Sequence, residues 1–209
     1  VTTGHAFVLN VAAAWQFSAK GRAVNFPGAA ADHLNAVEAS DALYTGALTL
    51  MWHGVLRVGG IEQAILGKVG SDASTSVPFD FRTDNAAVPQ LAFIRARTTG
   101  DFNDRLRIWD STADISLNIF HTLAVTASTG LVETTPTFYI DAIPETPTTA
   151  QVGSGQVTGV GADIRSGARG SPQDNPMNGV IVWAGIWARA LSQAEISWLH
   201  AEPYAFLQP

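Results

Sequence analysis

Residues 47–57 read ALTLMWHGVLR, and their alternation decides the fold class. Leu48, Leu50, Trp52 and Leu56 fall on one parity, and Thr49, His53 and Arg57 on the other. Side chains of an extended chain point to opposite faces in turn, so this pattern predicts a strand with one apolar face. The same period recurs downstream. In VPFDFRT (77–83), Phe79 and Phe81 alternate with Asp80 and Arg82. In FHTLAVTAS (120–128), Leu123 and Val125 share a face, and in PTFYIDAI (136–143) so do Phe138 and Ile140. Turn residues separate the runs: Gly59-Gly60, Asp84-Asn85, Thr99-Gly100-Asp101 and Ser128-Thr129-Gly130. Such residues supply positive φ or local side-chain bonds. Many short strands at this spacing predict an all-β, two-sheet antiparallel sandwich or a barrel.

Two regions depart from the pattern. GVIVWAGIWARAL (179–191) is apolar on both parities, which predicts a strand that is covered on both sides or that bends between layers. Residues 151–178 are rich in Gly, Ser, Asp and Pro, and predict one strand near QVTGVGADI followed by a long loop. With no internal repeat or linker, 1–209 reads as one domain. The chain then ends in a short helix over about 192–201 and an extended tail, 202–209. Ser192 and Glu195 have the spacing of a capping box, and Leu191 and Ile196 that of a hydrophobic staple. Ile196 and Leu199 are placed to face the sandwich, and Pro203 stops the helix.

The composition excludes several classes. Charged residues are 14% of the 209, and the net charge is -6. A basic surface for nucleic acid is therefore not expected. Lysine occurs only at positions 20 and 68, so ten of the 12 basic residues are arginine. Arginine suits planar, partly desolvated contacts. No apolar run is long enough to span a membrane. Without cysteine there is neither a disulfide nor a thiolate metal site.

Four stretches in order resemble the laminin-G-like branch of the concanavalin A-like jelly rolls. They are AVNFPGAAADHLNA (23–36), ALTLMWHGVLR with GGIEQAILGK (47–68), FHTLAVTASTG with TFYIDAIP (120–144), and NGVIVWAGIWARALSQAEI (178–196). The resemblance implies two antiparallel sheets stacked about 10 Å apart. The closing AEPYAFLQP (201–209) resembles the ends of such domains in bacteriophage and prophage proteins. The family often holds calcium with carboxylates of its early and final strands. Here Pro27, Val182 and Trp183 occupy those places, and Asp32 is the one matching carboxylate. Calcium takes six to eight oxygens, so the resemblance implies no complete site, and no cofactor is expected.

Catalysis is not expected either. Hydrolases of this superfamily set two carboxyl groups on one strand, about 5–9.5 Å apart. Glu38, Glu62, Glu133, Glu145, Glu195 and Glu202 show no such spacing. The histidines at 5, 33, 53, 121 and 200 make no i, i+2 or i, i+4 metal pair, and read as structural. VGSGQVTGVG (152–161) lacks the Gly-Lys-Ser/Thr ending of a phosphate loop.

One hairpin, FIRARTTGDFNDRLRIW (93–109), offers a contact surface. The frame that buries Leu106 and Ile108 turns Arg105, Arg107 and Trp109 outward. On the other arm Arg95 and Arg97 share the parity of Leu91 and Phe93, so that strand changes role or carries a bulge. Arg95, Arg97, Arg105, Arg107 and Trp109 are therefore the candidate ligand or partner surface, able to stack on sugar rings or grip acidic groups. The competing reading pairs these charges with Asp101, Asp104 and Asp110 on a solvated face. Tyr204 and Phe206 are candidate contacts to a neighbouring subunit. Trp15, Trp183, Trp187 and Trp198 are expected in the core or in subunit contacts.

The function expected is a non-catalytic virion module, a decoration, fibre or tail protein. Its expected partners are other virion proteins and its own copies, a trimer above all, with glycans as a further contact. The alternatives are a carbohydrate-binding module of an exported bacterial protein and, third, a glycoside hydrolase on the same fold.

Overall fold

A computed structural model describes residues 8–10, 14–18, 21–29, 33–36, 44–69, 77–97, 105–158, 162–169 and 175–202, with backbone only at 8–10, 14–18 and 21–22. The strands are β1 (Val8–Asn10), β2 (Ala14–Ser18), β3 (Gly21–Pro27), β4 (His33–Ala36), β5 (Leu48–Leu56), β6 (Gln63–Lys68), β7 (Phe79–Thr83) and β8 (Gln90–Ala96). They continue with β9 (Leu106–Asp114), β10 (Phe120–Ala127), β11 (Thr137–Ile140), β12 (Ile143–Glu145), β13 (Thr148–Gln151), β14 (Ile164–Ser166) and β15 (Asn178–Trp187). One helix, α1 (Gln193–Ala201), follows. Two antiparallel sheets result, an eight-stranded one ordered β1-β4-β14-β6-β7-β8-β9-β13 and a seven-stranded one ordered β12-β11-β10-β5-β15-β3-β2. The sandwich, rather than a barrel, is the architecture, with the jelly-roll connections the sequence resemblance implies. Among the described residues, the strand expected near QVTGVGADI lies at Ile164–Ser166, and β13 precedes it.

β5 lies at the centre of the seven-stranded sheet, between β10 and β15. Its even positions do what their alternation predicts. Leu48, Leu50, Trp52 and Leu56 enter the core between the sheets, with Leu123, Val125 and Phe138 from neighbouring strands. Phe79, Phe81 and Phe93 meet them from the other sheet. The odd position Met51 faces the opposite way, into a second cluster with Ala124, Tyr139, Trp183, Leu191, Ile196 and Leu199.

That second cluster explains the apolar run 179–191. β15 shifts register against β5 between Ile181 and Trp183, a bulge that reverses its parity. Ile181 enters the inter-sheet core, and Trp183 turns out under α1. The strand is thus covered on both sides. Gly54 allows the crossing, because a Cβ there would strike the Val180 carbonyl oxygen and the Trp52 ring.

The closing helix is docked by local code. The Glu195 N–H donates to Ser192 Oγ at 3.4 Å, and the Ser192 N–H donates to Glu195 Oε2 at 2.9 Å. This is the capping box. Arg189 adds two bonds to the Glu195 carboxylate, at 3.0 and 2.6 Å. Leu191 and Ile196 share the buried cluster, as a staple requires. Thr49 on β5 donates to the Arg189 carbonyl and accepts from the Leu191 N–H, each at 2.8 Å. Replacing Ser192 by alanine should cost about 1 kcal/mol, read as a lowered urea midpoint with partner binding unchanged. The hydrogen bond from Arg189, with the bonds from Ser192, holds the Glu195 carboxyl down at about 2. The box therefore contributes in full above the unfolded glutamate pKa and is lost progressively as pH falls from there through about 2.

Candidate functional site

The candidate hairpin is formed by β8 and β9, and its frame is the reverse of the expected one. Phe93 pairs with Trp109 and Arg95 with Arg107. Trp109 is 0% exposed and belongs to the inter-sheet core, with its ring 6.3 Å from that of Phe93. Leu106 and Ile108 point to the outer face, where Val69, Val77, Ile94 and Ala96 cover them. The physical reason is a third apolar cluster on the far side of the sheet. It gives Leu106 and Ile108 a buried environment there and leaves the inner face to the larger aromatic. Trp109 is therefore not an exposed stacking platform.

Arg95 follows Phe93 inward and is also 0% exposed. Its guanidinium donates to the carbonyls of Tyr44 and Gly46 at 3.0 Å each, Thr129 at 2.6 Å and Pro78 at 3.4 Å. Burial lowers its pKa to about 10, so it remains a cation at neutral pH. All of these acceptors are backbone carbonyls. Arg95 thereby fastens one end of the sandwich rather than lying on its surface.

Arg97, Arg105 and Arg107 extend this row to the rim of the sandwich and are half-buried. The Arg97 N–H donates to the Arg105 carbonyl at 3.1 Å, so the two are cross-strand neighbours. The Arg107 guanidinium lies 5.3 Å from the centre of the Trp109 ring, and its Nη1 donates to the Gly153 carbonyl at 3.4 Å. Two segments cover this end. Val132 N–H bonds Gly155 O at 2.7 Å, and Val157 N–H bonds Gly130 O at 2.8 Å. Gln156 Nε2 reaches Thr45 O at 2.9 Å. Between them, Glu133 Oε2 accepts from the Gly155 N–H at 2.7 Å. Hydrogen bonds from its own backbone N–H and from Gly155, with Arg107 and Arg97 nearby, hold the Glu133 carboxyl below the usual range.

Three of the five candidates thus share an accessible rim, and two build the interior behind it. Asp110, the expected countercharge, lies on the opposite face of the sheet from the arginines, since it shares the parity of Ile108. Burial and then the charge of Asp84 raise its pKa, against the pull of Arg82. Asp101, Asp104, Asp32, Tyr204 and Phe206 lie outside the described residues. Glu133 was missed as a member of the site. Only its position in VET, after a glycine turn, hinted at a loop carboxylate.

The outer face of the eight-stranded sheet carries a buried charge cluster. Asp80 is 0% exposed, with Arg169 Nε 3.0 Å from its Oδ2. Arg82 Nη1 bonds Glu62 Oε2 at 2.7 Å, and Asn175 Nδ2 bonds the same oxygen at 2.8 Å. Among the described residues no three His, Asp or Glu side chains are grouped to hold a metal ion.

His53, His121 and His200 are each engaged in hydrogen bonds between elements of the fold. His53 and His200 each place Nδ1 2.9 Å from the Thr122 hydroxyl, tying β5 and α1 to β10. His121 Nδ1 meets Asp141 Oδ2 at 2.7 Å, and its Nε2 meets the Ser116 carbonyl at 3.0 Å. Burial by itself would raise the Asp141 pKa. Bonds from His121 and from the Thr122 N–H, at 2.8 Å, outweigh it and leave the carboxyl lowered. A lowered carboxylate stabilises above its unfolded pKa of about 3.9 and loses that contribution as pH falls through its folded value. Asp141→Asn should therefore flatten the fall in stability below about pH 5, measured by urea midpoints across pH.

Residues 29–197 match the Laminin_G_3 family of the concanavalin A-like lectin/glucanases superfamily. The chain belongs to that family. No curated protein matches it by sequence. Among solved structures it is similar to the binding domain of Paraclostridial Mosquitocidal Protein 1, at 12% identity and a TM-score of 0.64, over 96% of this chain and 48% of that one. It is also similar to the Botulinum Neurotoxin Type G Receptor Binding Domain, at 11% identity and a TM-score of 0.61, over 96% and 47%. A third is the heptameric SAP-like pentraxin from Limulus polyphemus, at 13% identity and a TM-score of 0.56, over 84% and 80%. The chain thus spans about half the length of the toxin domains. At these identities the likeness is one of fold alone.

Proposed function

We propose that the chain is a non-catalytic structural and adhesion module of a bacteriophage virion: a capsid decoration, fibre or tail protein. It assembles with other virion proteins and with its own copies, as a trimer, and makes a further contact to host-surface glycans. The observation that carries this reading is the rim of half-buried arginines, Arg97, Arg105 and Arg107, at one end of a sandwich of the kind binding domains use. Guanidinium groups suit planar, partly desolvated contacts, and the arginine-over-lysine bias of the chain fits such a role. The closing AEPYAFLQP, similar to the ends of phage domains of this family, supports the same source.

A second reading, a carbohydrate-binding module of an exported bacterial protein, is favoured by the likeness to the two toxin binding domains. One experiment separates them. Mass spectrometry of density-banded phage particles should find the chain at a fixed ratio to the major capsid protein after a high-salt wash. Its absence from particles, together with saturable binding to a glycan array, would establish the second reading instead.

A further inference from the structure

The rim already holds a carboxylate. Glu133 sits on the 129–134 segment, and its Oε2 is seated on the Gly155 N–H at 2.7 Å. Gly155 has φ +104°, a conformation that turns its N–H toward the carboxylate and that L side chains rarely adopt. Arg97 lines the same turn. A Cβ built on Gly155 would lie 3.3 Å from Arg97 Cδ and 3.4 Å from its Nη1. Arg107 grips the other side of the turn through the Gly153 carbonyl. Behind both stands the buried cation of Arg95, whose hydrogen bonds among the described residues all go to backbone carbonyls. The Gly155 N–H, with the charges of Arg107 and Arg97 nearby, forms a preorganised seat for a carboxylate.

We propose that this seat is a docking socket for an acidic side chain of a partner protein, and that Glu133 is its internal occupant, displaced when the partner binds. The proposal rests on the assembly reading above and names the chemistry of that contact. The partner is a protein segment because the group the seat is shaped around is a peptide glutamate presented by a turn. The arginines are engaged within the chain, so the partner's carboxylate enters by exchange with Glu133. Exchange leaves one carboxylate in the seat, and the displaced Glu133 stays tethered nearby as a competitor, which makes the contact reversible.

The probe is a dye-labelled, end-blocked tetraglutamate peptide, followed by fluorescence anisotropy. Tetraglutamine, glucuronate and sulfate serve as comparisons. Glu133→Gln removes the competing charge in the same shape, and its urea midpoint is measured first. The peptide should bind Glu133→Gln at least about tenfold more tightly than the unaltered chain, within the range typical of coupled sites. Adding Arg97→Ala and Arg107→Ala to that variant should abolish the gain, and raising salt should weaken binding to both forms. Equal affinity with and without Glu133 would overturn the socket. So would a gain that survives loss of both arginines. Glucuronate or sulfate binding as tightly as the peptide would overturn the assignment to a protein partner. If Glu133→Gln lowers the urea midpoint, the salt dependence and the loss of peptide binding in Arg97→Ala/Arg107→Ala of the otherwise unaltered chain decide the matter. A failed titration removes the socket and leaves recovery from particles as a separate result.

Discussion

Arg95→Met is expected to lower stability by about 3–5 kcal/mol, although arginine is ordinarily a surface residue. The side chain is 0% exposed and donates to four carbonyls. Tyr44, Gly46 and Thr129 flank β5 and β10 of the other sheet, and Pro78 leads into the neighbouring β7, so one guanidinium joins β8 to the ends of both layers. Methionine fills similar volume and removes all the donors together. Each buried acceptor left without a partner costs about 1–3 kcal/mol before the structure relaxes. Arg95→Lys keeps the charge but not the planar fork, and should fall between the two. Urea denaturation reads the difference directly. A loss under about 1 kcal/mol would mean that the carbonyls find water and that Arg95 does not hold the end closed.

Trp109→Ala should cost about 3–5 kcal/mol, the range for removing a large aromatic from a packed core. The ring is wholly buried, stacks on Phe93 and supports the Arg107 guanidinium. Its indole N–H has no acceptor among the described residues. Trp109→Phe therefore forfeits volume but no hydrogen bond, and should cost much less than alanine. A ligand-stacking tryptophan behaves differently, because its removal weakens binding and leaves the urea midpoint in place. Trp109→Ala with unchanged stability would restore the surface reading of this residue.

These two residues mark where sequence pattern stopped being informative. Alternation in 47–57 placed Leu48, Leu50, Trp52 and Leu56 in the core, since β5 has one apolar and one mixed face. The capping box was legible because all its partners lie within a few residues. The frame of β9 was not. Its two parities carry Leu106 and Ile108 on one side and Trp109 on the other, and both sides are buried. The choice between them is made by Val69, Val77 and Ile94, which supply an outer cluster distant in sequence. Arg95 defied the rule that charges face solvent because its acceptors are backbone carbonyls, which leave no trace in residue type. Asp80 is another such case, with its cation, Arg169, far along the chain. For the site, the arginine cluster was legible as composition. Its division into a buried Arg95 and a half-buried rim was not, nor was the carboxylate of Glu133.

The hairpin divides its labour: Arg95 and Trp109 lie in the interior of the sandwich, and Arg97 and Arg107 line the rim proposed for contact. The most direct measurement compares Arg95→Met with Arg97→Ala/Arg107→Ala, scoring each for urea midpoint and for retention on purified particles. Arg95→Met is expected to lower the midpoint sharply, whereas the double variant should lower it far less and be lost from the particles. A double variant retained like the unaltered chain, or one that unfolds as readily as Arg95→Met, would contradict it.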